Sequence, residues 1–333
     1  MFKIDFIEKA GRLRDRYFDT ITYSRNVFVP LTNVCRNNCS YCGFSKGKPY
    51  LLSPKQIKNI LKEGKRSGAV EALFTYGEQP TKVDGFKKLL TETGYESFDQ
   101  YLKDTYQTAL DQGLLPHTNP GYIPSDQFKS ISKYNASMGL MLETTTDIPS
   151  HKESPGKKPE KRIQLIKYAG KQKIPLTTGI LIGVGESWVD RVKSLKQIKK
   201  INDKYGHIQE VIIQGHQKHP KSNTKHPTTK QKTVIKTIAL ARHILKDIEI
   251  QAPPNLHPDI KSLLKAGVSD LGGISTTKDH INPTKKWPSP QKLEKEIKKH
   301  GYKPEKRLPI YPKYIEKDWL TEPIRKQITK IER

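Results

Sequence analysis

Three cysteines, confined to eight consecutive positions, are the residues of this chain best suited to chemistry. Cys35, Cys39 and Cys42 follow an apolar run in the spacing C-x3-C-x2-C, and they are the only cysteines among the 333 residues. Iron–sulfur clusters are bound by cysteine thiolates. Three thiolates on one short loop therefore predict a cluster held at three of its irons, with no protein sulfur for the fourth.

Two other uses of cysteine fit this spacing less well. Zinc fingers usually combine C-x2-C units with each other or with H-x3-H units, and no histidine lies near this loop in the sequence. A disulfide framework requires an even number of cysteines and an oxidising compartment. The cluster is therefore the preferred interpretation.

The cysteine loop resembles the signature of the radical S-adenosylmethionine (SAM) superfamily. Aromatic Tyr41 precedes the last cysteine, and Phe44 lies just after it. In that superfamily the amino and carboxylate groups of SAM chelate the open iron, and an electron from the cluster cleaves SAM to a 5'-deoxyadenosyl radical. The resemblance implies a [4Fe-4S] cluster and SAM as cofactors, with the three cysteines as the metal ligands.

An alternation of strands and helices is predicted to position this loop. The apolar run at 27–31 predicts a strand that leads into the cysteines, and 70–76 predicts a second strand. Between them, Ser53 is a helix N-cap, Pro54 occupies the first helical position and Gln56 closes a capping box. Strand, loop, helix and strand form a βαβ unit with a right-handed crossover.

The same alternation continues along the chain. Further strands are predicted at 114–119, 137–143, 176–183, 211–214, 249–256 and 269–274, and helices at 5–18, at 159–171 and after Ser187. Six to eight such units favour an α/β fold, a TIM-type (β/α) barrel of parallel strands, complete or open. We expect one domain over residues 1–333, with a core at about 23–316 and short terminal extensions.

Chemistry in such a barrel lies at the carboxyl ends of the strands, where a turn after the second strand is informative. Gly77 and Glu78 correspond to the last two residues of the Gly-Gly-Glu segment that holds the SAM amino group through backbone carbonyls in radical SAM enzymes. Tyr76 departs from the first glycine of that segment. Taken alone, the same residues are typical of an ordinary strand-ending turn.

The resemblance implies further SAM contacts after the fourth strand. Glu143 is expected to accept hydrogen bonds from the SAM ribose hydroxyls, and Arg162 to pair with the SAM carboxylate. Gly179 and Gly183 resemble the fifth-strand motif on which the adenine packs, since glycine lets a flat ring approach the backbone. Each of these residues, considered singly, also suits a solvated strand end, a surface helix or a turn.

Longer stretches resemble one branch of the superfamily, the CofG-type 7,8-didemethyl-8-hydroxy-5-deazariboflavin synthases. The matching segments are 71–80, 137–143, 154–162, 209–214, 251–256, 272–275 and 279–283. The resemblance runs from about residue 23 to 316. It is weakest at Gly215-His216-Gln217-Lys218-His219, where the family usually has Asn-Phe, so substrate contacts in that loop are in doubt.

The resemblance to this branch implies a carbon–nitrogen lyase in coenzyme biosynthesis. Its substrate would be the adduct of a tyrosine-derived hydroxybenzyl unit with 5-amino-6-(D-ribitylamino)uracil. Hydrogen abstraction by the deoxyadenosyl radical would let the 5-deazaflavin ring close with loss of ammonia and an electron. A CofH-type radical SAM synthase would supply the adduct, and a reductase would donate electrons.

Polar residues near the later strand ends are the candidate substrate contacts. Gln214, Asn255 and Asp270 carry groups that recognise uracil and ribityl hydrogen-bonding atoms, and Asp279 and His280 are candidates for catalysis. Two prolines at 253 and 254 are expected to fix the loop that carries Asn255. Singly, each of these residues is also typical of a loop or a cap.

Composition limits the remaining alternatives. Lysine and arginine number 60 against 34 acidic residues, a net charge of +26. The basic residues are spread along the chain and no nucleic-acid-binding motif accompanies them, so nucleic acid is not an expected partner. No apolar run is long enough for a membrane span and the first residues do not resemble a secretion signal. A cytoplasmic location is expected, which suits an oxygen-sensitive cluster.

Three functional hypotheses remain open at this point. The first is the deazaflavin synthase, and the second is another radical SAM enzyme, either the partner condensing enzyme or a menaquinone-pathway relative. The third is a basic iron–sulfur protein that binds nucleic acid, which would be retained on DNA or RNA in a steeply salt-dependent manner.

Overall fold

Eight parallel strands close into a barrel in the computed structural model, which describes residues 4–275 and 284–332. The strands are β1 (Thr20–Thr32), β2 (Glu71–Tyr76), β3 (Leu115–Asn119), β4 (Ser137–Gly139), β5 (Leu176–Ile182), β6 (Ile208–Gly215), β7 (Glu249–Gln251) and β8 (Asp270–Ser275). Each strand pairs with the next, and β1 pairs with both β2 and β8. The predicted α/β TIM-type barrel is confirmed, and it is complete rather than open.

Helices precede, connect and follow the strands along the chain. They are α1 (Ile4–Arg14), α2 (Pro54–Arg66), α3 (Phe86–Glu92), α4 (Phe98–Asp111), α5 (Ser125–Ser132), α6 (Pro159–Lys171), α7 (Trp188–Tyr205), α8 (Gln231–Leu245), α9 (Ile260–Lys265), α10 (Pro290–Lys299), α11 (Pro312–Ile315) and α12 (Glu322–Glu332). No helix in the described ranges is both long enough and apolar enough to span a membrane. That residues 1–333 form a single domain stays a prediction.

The start of α2 shows how local sequence determines an element. The Ser53 hydroxyl accepts a hydrogen bond from the Gln56 backbone N–H at 3.3 Å, and the Gln56 side chain accepts one from the Ser53 N–H at 2.8 Å. This predicted capping box satisfies backbone donors that a helix end leaves unpaired. Farther along α2, a Cβ at Gly64 would lie 2.3 Å from the Val27 Cβ. The helix therefore packs closely on β1.

Two predicted strands are shorter in the structure. The fourth ends at Gly139 rather than at Glu143, although Glu143 forms an isolated bridge to Ile180 of β5. Glu143 has φ +67°, a left-handed conformation that does not continue a strand. The seventh ends at Gln251, two residues before Pro253, which has no backbone N–H for a strand ladder.

A ninth strand closes the amino end of the barrel and was not predicted. Strand β9 (Lys303–Arg307) pairs in parallel with the first residues of β1. Its highly charged sequence lacks the apolar character of a buried strand. The Pro309 carbonyl, just beyond β9, accepts hydrogen bonds from Ser137 at 2.5 Å and Gln209 at 3.0 Å. This segment therefore forms a floor beneath the barrel.

Candidate active site

A cavity of about 420 Å³ occupies the barrel and extends from the cysteine loop to the floor. Cys35, Cys39 and Cys42 all border it, and Arg307 and Pro309 border its other end. Ligand-binding cavities commonly have volumes of roughly 300 to 1,000 Å³. The loop after β1 and the interior of the barrel therefore share one space.

The end of β2 holds one side of the cysteine loop. The Arg36 N–H donates to the Glu78 carbonyl at 2.9 Å, and the Glu78 N–H donates to the Cys35 sulfur at 3.2 Å. A Cβ at Gly77 would lie 2.0 Å from the Val34 carbonyl oxygen. Only glycine allows this close approach, so Gly77 is needed to seat the cysteine loop against β2.

The segment at 150–156 holds the other side. The Ser154 hydroxyl donates to the Cys39 sulfur at 3.1 Å, and the Gly156 N–H donates to the Asn37 side-chain oxygen at 3.0 Å. The Ser40 N–H also donates to the Ser150 carbonyl at 3.2 Å. The loop is therefore fixed between two segments, and hydrogen bonds to sulfur are one means by which proteins adjust cluster potentials.

The arrangement of the three thiols suits a cluster. In the part of the chain that the structure describes, no three Cys, His, Asp or Glu side chains converge on a single-ion site. The cysteines instead border a common space, as a cluster with separate irons requires. Burial raises the pKa of Cys35 to about 11 and also raises the pKa of Cys39. Metal binding would therefore displace protons from these thiols.

A buried ion pair lies beside the cysteine loop. Arg162 places its Nη2 atom 3.0 Å from Glu78 Oε2, and both side chains are at most 4% exposed. Arg162 also donates to the carbonyls of Gly156 and Met141, and Glu78 Oε2 accepts from the Tyr122 N–H at 2.7 Å. Arg162 therefore fixes the Glu78 carboxylate.

The other carboxylate oxygen of Glu78, Oε1, takes no part in this network. It is buried, and no residue in the described ranges donates a hydrogen bond to it. A Cβ at Gly156 would lie 1.2 Å from that oxygen. A buried carboxylate oxygen without a donor is costly, so this atom fits the amino group of a bound ligand at the mouth of the cavity.

A second charged pair joins Glu143 to Lys157, and both residues border the cavity. Burial opposes ionisation of Glu143, but Lys157 and Arg162 outweigh it and lower the pKa of this carboxyl. The left-handed backbone of Glu143 turns the chain after β4. Lys157 was not a predicted site residue, although it lies within the matching stretch at 154–162.

The fifth-strand glycines do not border the cavity among the residues described. A Cβ at Gly179 would lie 2.3 Å from the Ile212 carbonyl oxygen, and one at Gly183 would lie 2.1 Å from the Thr229 hydroxyl. Gly183 also has φ +90°. Both glycines allow close approach of neighbouring segments, and the expected adenine contact stays a prediction.

The divergent loop at 215–219 covers the cysteine loop instead of lining the cavity. His216 is 2% exposed, and its Nδ1 lies 3.0 Å from the Pro227 carbonyl. The His219 ring lies against Gly43, where a Cβ would be 1.9 Å from its Nδ1. Burial lowers the pKa of both histidines. The segment at 215–219 therefore lies against the cysteine loop rather than in the cavity.

The candidate substrate residues occupy different ends of the barrel. Gln214 and Asn255 border the cavity. Asp270 does not; it is the first residue of β8, at the amino end, and accepts hydrogen bonds from Arg307 Nε and the Thr22 hydroxyl, each at 2.5 Å. Asp279 and His280 lie outside the described residues.

Several residues that border the cavity were not predicted as site residues from the sequence. They are Glu71, His117, Thr177, Glu210, Trp287 and Arg307. Glu71, Thr177 and Glu210 lie within the first three residues of their strands, where barrel residues usually contribute to stability. A signal was nevertheless present, because a glutamate in a buried strand, as at Glu71 and Glu210, carries an ionisable group that requires an explanation.

Comparison with known proteins identifies the relatives of this chain. The model of the radical SAM superfamily matches residues 29–198. The 7,8-didemethyl-8-hydroxy-5-deazariboflavin synthase of Methanosarcina mazei is 46% identical, over 91% of this chain and 92% of its own. The synthase of the same name from Archaeoglobus fulgidus is 45% identical, over 93% and 96%.

A solved structure supports the fold independently. The crystal structure of methylornithine synthase superposes with a TM-score of 0.71 at 20% identity, covering 91% of this chain and 89% of its own. At that identity the likeness concerns architecture alone. It agrees with the closed barrel described above.

Proposed function

This chain belongs to the radical SAM superfamily and to the family of 7,8-didemethyl-8-hydroxy-5-deazariboflavin synthases, and we propose from that premise how it acts. Membership implies a [4Fe-4S] cluster, SAM and a small-molecule substrate. The proposed substrate is the adduct of a tyrosine-derived hydroxybenzyl unit with 5-amino-6-(D-ribitylamino)uracil. The proposed reaction closes the 5-deazaflavin ring and releases ammonia.

We assign the cluster to the three cysteines. Cys35, Cys39 and Cys42 would bind three irons, and SAM would bind the fourth through its amino and carboxylate groups. When bound, the cluster and SAM supply the 5'-deoxyadenosyl radical that abstracts hydrogen from the substrate. The observation that carries this assignment is that all three thiols border the barrel cavity and are held by donors from two neighbouring segments.

The residues beside the loop have separate roles in binding SAM. The unpaired Oε1 of Glu78 would accept a hydrogen bond from the SAM amino group, together with backbone carbonyls at Gly77 and Glu78. Arg162 would act mainly as a positioning residue for Glu78, because its guanidinium already donates to three protein acceptors. Glu143, kept anionic by Lys157, would accept hydrogen bonds from the ribose hydroxyls.

The barrel interior would hold the substrate and exclude water. The protein's contribution to a radical reaction is to orient the reacting atoms and to prevent side reactions. Gln214 and Asn255 line the cavity and offer both donors and acceptors to a uracil ring. The fifth-strand glycines and the candidates Asp279 and His280 stay as predicted contacts.

The proposal implies two functional partners. A CofH-type radical SAM synthase would supply the adduct, since this chain would close a ring rather than join its two halves. A reductase would reduce the cluster.

The discriminating experiment supplies two sets of substrates to the reconstituted enzyme under anaerobic, reducing conditions with SAM. We expect a fluorescent deazaflavin from the preformed adduct and none from tyrosine with 5-amino-6-(D-ribitylamino)uracil. Formation of the adduct from the second mixture, detected by its mass and without a deazaflavin, would instead assign the chain to the condensing step. Steeply salt-dependent retention on nucleic acid without SAM cleavage would contradict both enzymatic functions.

A further inference from the structure

The inner wall of the barrel changes in polarity with depth. Alternate residues of β2 and β6 border the cavity from the amino to the carboxyl end: Glu71, Leu73 and Thr75, and Glu210, Ile212 and Gln214. Strand residues two apart lie on the same face and rise about 3.3 Å per residue, so each series extends over about 13 Å. The cavity thus has a carboxyl-bearing floor, an apolar middle and a polar mouth next to the cysteines.

The floor carries a network that the proposed chemistry does not use. Arg307 Nη2 lies 3.1 Å from Glu210 Oε1, and the Thr177 hydroxyl donates to Glu210 Oε2 at 3.2 Å. Arg307 also donates to both carboxylate oxygens of Asp270, at 2.5 and 2.9 Å. The Arg307 guanidinium therefore pairs with two carboxylates. It makes two hydrogen bonds to Asp270 and one, longer, to Glu210.

Two more polar residues complete the floor. Glu71 is 5% exposed and accepts a hydrogen bond from the Ser24 hydroxyl at 2.6 Å. His117 is 6% exposed, and its Nδ1 lies 2.6 Å from the Ser137 hydroxyl. We define the floor group as the four residues Glu71, His117, Thr177 and Glu210, all of which border the cavity.

Burial opposes charge on three members of the floor group, Glu71, His117 and Glu210. It raises the pKa of Glu71, and it raises the pKa of Glu210 well above its usual range, although Arg307 opposes the change at both carboxyls. Burial also lowers the pKa of His117 to about 4. Hydroxyl and neutral imidazole groups each donate and accept hydrogen bonds, and carboxyl oxygens accept them.

This chemistry selects the class of ligand that suits the floor. A phosphate or carboxylate would face the oxygens of two acids, and a cation would face Arg307. A chain of hydroxyl groups matches the floor best, because every hydroxyl also donates and accepts. The apolar middle, which includes Phe28, Leu73 and Ile212, suits a flat ring.

We propose that the floor group binds the polyol chain of the substrate, so that the ribityl tail enters the barrel first. The ring system then lies in the apolar middle, between the floor and the cysteine loop. The proposal rests on the function proposed above, because it assigns one part of that substrate to one end of the cavity. It makes the floor group a determinant of specificity rather than of the radical chemistry.

The test compares two adducts, one with the ribityl chain and one with a methyl group in its place. For each enzyme we would measure kcat/KM on both adducts, from the deazaflavin chromophore that forms. The variants are Glu71→Leu and the smaller change Thr177→Val. The matched control is Glu249→Leu, which removes a buried carboxyl at the same end of the barrel that does not border the cavity.

The wild-type enzyme is expected to prefer the ribityl adduct, and each floor variant to reduce that preference about tenfold, the effect of one or two lost hydrogen bonds. Glu249→Leu should leave the preference unchanged even if it reduces stability. The inference would be overturned if the floor variants lost kcat/KM equally on both adducts. It would also be overturned if the wild-type enzyme did not prefer the ribityl adduct. If the wild type forms no deazaflavin from either adduct, the proposed function itself fails and the inference falls with it.

Discussion

Arg162 Nη2 lies 3.0 Å from Glu78 Oε2, in a pair that joins helix α6 to the turn after β2. Through Glu78 the pair is connected to the cysteine loop, because the Glu78 backbone bonds to both Cys35 and Arg36. A side chain 127 residues from the first loop cysteine therefore helps to hold the loop in place. The geometry of the cysteine loop, the proposed cluster site, depends on this distant contact.

Replacing Arg162 with methionine should destabilise the protein markedly. The substitution leaves the Glu78 carboxylate buried without its cation, which typically costs about 3–5 kcal/mol. The free energy of unfolding in urea measures the loss. Arg325→Met is the matched control, since its pair with Asp318 is exposed and should contribute about 1 kcal/mol or less. Similar losses of unfolding free energy in the two variants would contradict a stabilising role for the buried Arg162–Glu78 pair.

Gly77→Ala should displace the cysteine loop and lower the iron content. The new methyl group would lie 2.0 Å from the Val34 carbonyl oxygen, so the backbone has to move. Gly47→Ala is the control, because its nearest neighbours are 3.6 and 3.8 Å away. Iron and sulfide per chain after reconstitution provide the measurement. Full loading of Gly77→Ala would show that the close contact is dispensable.

Lys157→Met should weaken SAM binding about tenfold or more, because Glu143 would lose the partner that keeps it ionised. The neighbouring Lys158 has an exposed side chain that pairs with exposed Asp147 at 3.4 Å, so Lys158→Met serves as the control. Equilibrium binding of SAM to the cluster-loaded enzyme measures both. Equal affinity for the two variants would exclude a role for the Glu143–Lys157 pair.

Stability should fall as the solution is acidified from pH 7.5 to 5.5, partly through His207. This ring is fully buried, and burial lowers its pKa from 6.5 to about 4. The unfolded chain then binds a proton that the folded protein does not, so the contribution present above pH 6.5 decreases as pH falls. The loss by pH 5.5 is about 1.4 kcal/mol.

The variant His207→Gln isolates that contribution. Glutamine does not titrate, so the variant should lose about 1.4 kcal/mol less than the wild type over the same interval of pH. Urea unfolding of both proteins at pH 7.5 and pH 5.5 supplies the comparison. If the free energy of unfolding decreased equally in both proteins, His207 would not be kept neutral in the folded protein.

Local patterns predicted the elements that short-range chemistry determines. The capping box at Ser53 and the cap at Ser187 follow from adjacent residues, and both are present. The alternation of strands and helices was sufficient for the barrel, because buried parallel strands have continuous apolar runs. The three cysteines singled out by the sequence border the cavity of that barrel.

The features that the sequence analysis missed depend on contacts between residues far apart in the chain. Strand β9 is charged and is a strand only because it pairs with β1. Asp270 pairs with Arg307, 37 residues away at the amino end of the barrel, and does not border the cavity; its substrate contact stays a prediction. The floor residue Glu210 meets the same arginine across 97 residues. Such contacts depend on register and closure, which no local pattern specifies.

The most direct test of the central claim is anaerobic. The cluster is reconstituted, dithionite and SAM are added, and 5'-deoxyadenosine is quantified with and without the adduct, in the wild type and in Cys35→Ala. We predict 5'-deoxyadenosine that increases with the adduct, together with a fluorescent deazaflavin, in the wild type alone. An equal yield from Cys35→Ala, or no SAM cleavage by a fully loaded wild-type enzyme, would contradict the proposed function.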